Sequence, residues 1–89
     1  MPPLSFKLKI VTPNELFYEG EVVSVVVPGT LGYLGVLKNH APLVTSITAG
    51  NLTFRDEAGT TKSFKLDGGF LEVLKNRVLV LADKVGDVA

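Results

Sequence analysis

Eighty-nine residues suffice for one small domain, and a chain this short buries only roughly 60–65% of its unfolded surface, so 46% hydrophobic residues must serve either a crowded core or a partner's surface. Nine basic and nine acidic side chains cancel, which removes the electrostatic footprint of a nucleic-acid binder or a polybasic membrane-surface protein. The absence of cysteine excludes disulfides, thiolate catalysis and the common zinc sites, and no apolar run approaches the ~20 residues of a membrane helix, so a soluble chain without a signal peptide is expected.

Residues 5–11 alternate Phe6, Leu8 and Ile10 with Lys7 and Lys9, the period of a strand with one wet face. Thr12-Pro13-Asn14 supplies a turn. Extended chain resumes at Leu16, with a bulge or bend expected at Glu19-Gly20. Five valines around Ser24 in residues 22–27 fit a pleated sheet better than a helix, and their continuity predicts burial on both faces.

The next stretch crowds Pro28, Gly29, Gly32, Gly35, Asn39 and Pro42 into fifteen positions, so the backbone must turn repeatedly and no helix survives there. It reads as a folded shoulder between two hairpins. His40, the chain's one histidine, precedes Ala41-Pro42, where the proline holds Ala41 extended.

Beyond the shoulder, residues 43–48 and 52–55 read as two short strands punctuated by Ala49-Gly50. The polar loop 56–60, with Gly59 suited to a left-handed position, joins residues 52–54 to 63–66 as a hairpin. Asp67-Gly68-Gly69 turns the chain into residues 70–74, and Lys75-Asn76 makes a tight turn into residues 78–82. Strands recurring every 8–12 residues between turn formers predict an all-β fold, a small antiparallel sandwich or flattened barrel of about eight to ten short strands over residues 1–84. Residues 85–89 are too few for a stable helix despite Asp83 as a cap, and a frayed tail is expected.

Chemistry is scarce. The carboxylates of Glu15, Glu19 and Glu21, and of Asp56 and Glu57, fall on loops and strand edges where such groups are usually solvated. His40 has no serine in a nucleophile-elbow context to activate and no second ligand for zinc. The shoulder glycines lead into a Val-Leu strand rather than the helix N-terminus that a phosphate loop requires, so no nucleotide, metal or other cofactor is expected. What remains is binding by surface: Leu31, Tyr33, Leu34 and Leu37 lie in a stretch too turn-rich to bury them all.

The pattern P-G-x-x-G-x-x-G-V-L-x-x-H-A-P-L of residues 28–43 resembles the N-terminal β-sandwich of the epsilon-subunit family of F-type ATP synthases, the delta subunit of mitochondria. Ile-Val-Thr-Pro at 10–13, Gly-Gly-Phe-Leu-Glu-Val at 68–73 and Asn-Arg-Val-Leu-Val-Leu-Ala-Asp at 76–83 follow in the family's order and spacing. The resemblance implies a non-catalytic rotor subunit of the central stalk, monomeric in isolation, that couples proton flow to ATP synthesis without entering the membrane. It sits on the cytoplasmic face of the bacterial inner membrane or its organellar equivalent. Leu31, Gly32, Tyr33 and Leu34 would then meet the c-ring, and His40 and Thr45 the gamma subunit. Family members often carry acids where this chain has Leu31 and Tyr33, which implies an apolar or hydrogen-bonded contact here. They often have Leu-Pro-Gly-His where residues 37–40 read Leu-Lys-Asn-His, and many continue into a helical hairpin with no counterpart in these 89 residues. Without the resemblance, a stand-alone β-sandwich that binds a peptide or carbohydrate would be the alternative, although the chain has no Trp and only Tyr18 and Tyr33.

Overall fold

The computed structural model describes residues 4–87, which form seven strands and no helix. They are β1 (Phe6–Val11), β2 (Leu16–Gly29), β3 (Gly32–Val36), β4 (Leu43–Asp56), β5 (Thr61–Leu74), β6 (Arg77–Ala82) and β7 (Val85–Asp87). Neighbours run β1-β6-β5-β4-β2-β3, and a further β1–β2 pairing closes five of the strands into a barrel. All pairs are antiparallel except β1–β6, which is parallel.

The all-β, flattened-barrel expectation holds, but with fewer and longer strands than the eight to ten foreseen. Residues 43–56 form one continuous strand of 14, because Gly50 does not interrupt β4: it gives Pro28 of the neighbouring strand room to approach, and a Cβ there would stand 2.8 Å from the Pro28 Cβ. Asp67-Gly68-Gly69 likewise bends β5 without ending it. With φ of 90° and 140°, the two glycines carry β5 from pairing with β7 at residues 64–66 to pairing with β6 at residues 69–74.

Two hairpins are where the turn chemistry put them. Asp56 Oδ1 accepts bonds from Ala58 N at 3.0 Å and Thr60 N at 2.9 Å, and Gly59 takes the left-handed position with φ 86°. Lys75 and Asn76 have φ of 49° and 60°, the two-residue turn that matches the twist of β5 and β6.

No bulge falls at Glu19-Gly20. Gly20 pairs in register with Leu8, and its missing side chain leaves space for the Tyr18 ring, whose hydroxyl would lie 2.7 Å from a Cβ there. The irregularity sits between Val22 and Ser24 in the pairing with β4. Its consequence is a change of phase: Val22, Val25 and Val27 all reach the core, at intervals of three and two. Val26 is exposed, so the valine run is buried on one face only.

The interior is filled by β1 (Phe6, Leu8, Ile10) together with Leu52, Phe54, Leu66, Leu71, Val73, Val78 and Val80, all essentially inaccessible. Tyr18 and Phe64 flank Phe54, with ring centroids 4.4 and 6.1 Å from it. Residues 85–87, expected as part of a frayed tail, instead add β7 to the edge of β5, since β6 leaves Phe64, Lys65 and Leu66 unpaired on that edge and Val85 packs against the core. Residues 88 and 89, the rest of that tail, and 1–3 lie outside the described residues.

Candidate functional site

The shoulder is itself a hairpin. β2 and β3 pair from Val25↔Val36 to Gly29↔Gly32, and Thr30 and Leu31 close the turn. The closure needs Gly32, whose φ of +122° lies where side-chain-bearing residues are strained. Leu31 at the tip is fully exposed (104%) and Tyr33 is two-thirds exposed (66%), while Leu34 packs against the core and Val36 is buried. Tyr33 lies across from Pro28 in the pairing, and its hydroxyl would stand 3.2 Å from a Cβ at Gly50. The ring therefore lies along the β2–β4 surface rather than projecting freely.

Leu31, Tyr33, Leu34, Leu43 and Thr45 line one shallow groove beside this tip. Thr45 thus joins the four shoulder residues. His40 does not: it closes a separate turn in which its N–H donates to Leu37 O at 3.2 Å and its Nδ1 lies 2.7 Å from Ala41 O. The same turn is held by Asn39, which takes the left-handed backbone (φ 66°) as its residue type predicts. Its N–H donates to Asn76 Oδ1 at 2.8 Å, and Asn76 Nδ2 donates back to Asn39 Oδ1 at 3.4 Å. The β3–β4 connection is thereby clipped to the β5–β6 turn.

Residues 29–37 contain no charged side chain, so the tip offers apolar area, one phenol and backbone groups. Among the described residues no three His, Cys, Asp or Glu side chains gather to hold a metal, and no helix is long and apolar enough to cross a membrane. The arrangement is suited to contact with another macromolecule rather than to bond making.

A second surface escaped the sequence reading. On the outside of β4, β5, β6 and β1, the register aligns Val44, Glu72, Leu79 and Lys9 in one row and Ser46, Phe70, Leu81 and Val11 in the next. Val44 is 69% and Phe70 57% exposed, and Leu74 and Leu81 are also open. The signal was present in residues 77–82, Arg-Val-Leu-Val-Leu-Ala, where apolar residues occupy both phases of the strand; such a run reads equally well as a strand buried on both faces.

Comparison with known proteins agrees with these features. The profile of the family described as ATP synthase, Delta/Epsilon chain, beta-sandwich domain matches residues 5–87. An ATP synthase epsilon chain of Chlorobium limicola is 41% identical over 81 residues, covering 91% of this chain and 92% of that one. Another, from Syntrophomonas wolfei, is 41% identical over 83 residues, and there the chain spans 93% of its own length but 61% of the relative's. Among solved structures, a chain in the Euglena gracilis mitochondrial ATP synthase (OSCP/F1/c-ring) superposes with a TM-score of 0.90 at 22% identity, covering 96% of this chain and 54% of that one, which speaks to the fold. The closed barrel, the glycine-built shoulder and the matched sequence agree: this chain belongs to the delta/epsilon β-sandwich family of ATP synthase.

Proposed function

We propose that the domain is a non-catalytic part of the central stalk of a proton-translocating F-type ATP synthase. In this reading it joins the gamma subunit to the c-ring, so that rotation driven by proton flow is coupled to ATP synthesis. It works as a peripheral protein at the membrane face that bears the catalytic head, the cytoplasmic face of the inner membrane in a bacterium. Leu31, Gly32, Tyr33 and Leu34 meet the c-ring, and His40 and Thr45 meet gamma. Thr45 shares the groove of the shoulder, so the two contacts adjoin there.

The observation that carries the reading is the shoulder tip, a rigid hairpin end with Leu31 and Tyr33 presented to solvent in a chain of this family. An uncharged tip implies a contact with weak salt dependence, because charge pairs are screened within roughly 10 Å at 0.1 M salt whereas apolar burial is not. The test is paired. Tyr33→Ala should lower ATP-driven proton pumping in membranes reconstituted with the complete complex and leave the melting temperature of the isolated domain nearly unchanged. Unchanged pumping would remove Tyr33 from the contact, and a large fall in melting temperature would make it a structural residue instead.

A further inference from the structure

The outer face of β4, β5 and β6 has a composition that constrains what can cover it. Three rows cross it: Leu74 and Arg77 lead to Lys7, Val44, Glu72 and Leu79 lead to Lys9, and Phe70 and Leu81 lead to Val11. With strands about 4.8 Å apart and side chains repeating every ~6.7 Å along each strand, the four-strand face is on the order of 14 by 13 Å. That is the size of the apolar centre of an interface, to be completed by a polar rim. Two shallow depressions flank Glu72, one edged by Pro42, Val44 and Leu74 and the other by Phe70, Leu79 and Leu81.

Glu72 decides the occupant. It stands in the middle row with apolar neighbours on both sides, and its carboxylate makes no hydrogen bond or ion pair among the described residues. Arg77, on the adjacent row, makes none either. Anything that covers Val44, Phe70, Leu79 and Leu81 must also desolvate Glu72, which is unfavourable unless a cation or several donors meet it. A second copy docking about a two-fold axis through the patch would set Glu72 against Glu72. A partner with a lysine or arginine between apolar side chains, and acids toward Lys9 and Arg77, has the matching pattern.

We propose that this face docks the gamma subunit through an apolar segment that carries a basic side chain opposite Glu72; the identity of the partner rests on the proposed function above. The face is continuous with the His40 turn through Pro42, so it enlarges the gamma contact assigned to His40 and separates it from Thr45, which lies on the other side of β4 with the shoulder.

The experiment measures binding of the isolated domain to purified gamma subunit. Phe70→Ser and Leu81→Ser should each weaken binding about tenfold or more. Glu72→Lys should weaken it at least as much, Glu72→Gln less, and Val26→Ser, exposed elsewhere, should leave it unchanged. Glu72→Lys lies wholly on the surface and keeps the test valid should an apolar variant unfold. Wild-type binding to gamma that all three face variants retain would overturn the inference and spare the proposed function, whereas no binding of the wild type would overturn both. A dimer that Phe70→Ser dissociates, or binding to phosphatidylglycerol vesicles in place of gamma, would also overturn it.

Discussion

Single residues here act through the space their neighbours leave. Gly69 has φ 140°, and a Cβ added there would collide with the Leu81 carbonyl oxygen of the paired strand. Backbone cannot swing aside as a side-chain end can, so Gly69→Ala should cost roughly 3 kcal/mol or more, read by chemical denaturation. The shoulder glycines separate by the same criterion. Gly32→Val should cost about 1–2 kcal/mol because of its positive φ, whereas Gly35, with open space around it, should accept Val within about 0.5 kcal/mol. Tyr18 offers a test with pH. Partial burial raises its phenol above the usual value of 10.0, and the Asp56 and Glu21 carboxylates add to the rise. Between that value and the raised one the unfolded chain has lost the proton and the folded chain holds it, so stability should be full below pH about 10 and fall as pH climbs further. Tyr18→Phe should flatten that alkaline fall in a series of melts.

Among the elements, the hairpins follow from local chemistry and the connection before β4 from a long-range clip. Asn76 serves twice, once through its left-handed backbone and once through the side chain that accepts the Asn39 amide. Asn76→Gly keeps the backbone and deletes the clip, so it should cost about 1 kcal/mol or less in stability and loosen the His40 turn. Faster amide hydrogen exchange at Asn39 in that variant, with the β4–β5 hairpin unaffected, would register the loss. The valine run of β2 was legible as a strand, but its bulge was not, since nothing in Val-Val-Ser-Val-Val-Val marks where the partner slips by one residue. Gly20 and Gly50 misled for a related reason: a glycine that makes room for Tyr18 or Pro28 has the same letter as one that ends a strand.

At the scale of the molecule, closure depends on β1, which pairs with β2 along one edge and with β6, some seventy residues away, along the other. Contacts of such separation must pay loop-closure entropy before they form, so the domain should fold in roughly milliseconds to seconds rather than microseconds. Stopped-flow refolding measures this. Ile10→Ala, which empties a fully buried site on β1, should cost about 2–5 kcal/mol and expose how far the closed barrel depends on that strand.

The sequence by itself determined the fold class, the two hairpins with their turns, the left-handed Asn39 and the family, because each rests on local backbone preference or on motifs in register. Tertiary structure alone decided how many strands the chain makes, which edge residues 85–87 join, and that Thr45 lies with Leu31 to Leu34 while His40 does not. It also decided that Phe70, Leu79 and Leu81 face water. Alternation shows that a strand has two faces, but whether an apolar second face is covered depends on which elements pack against it, and no element of the described residues packs there.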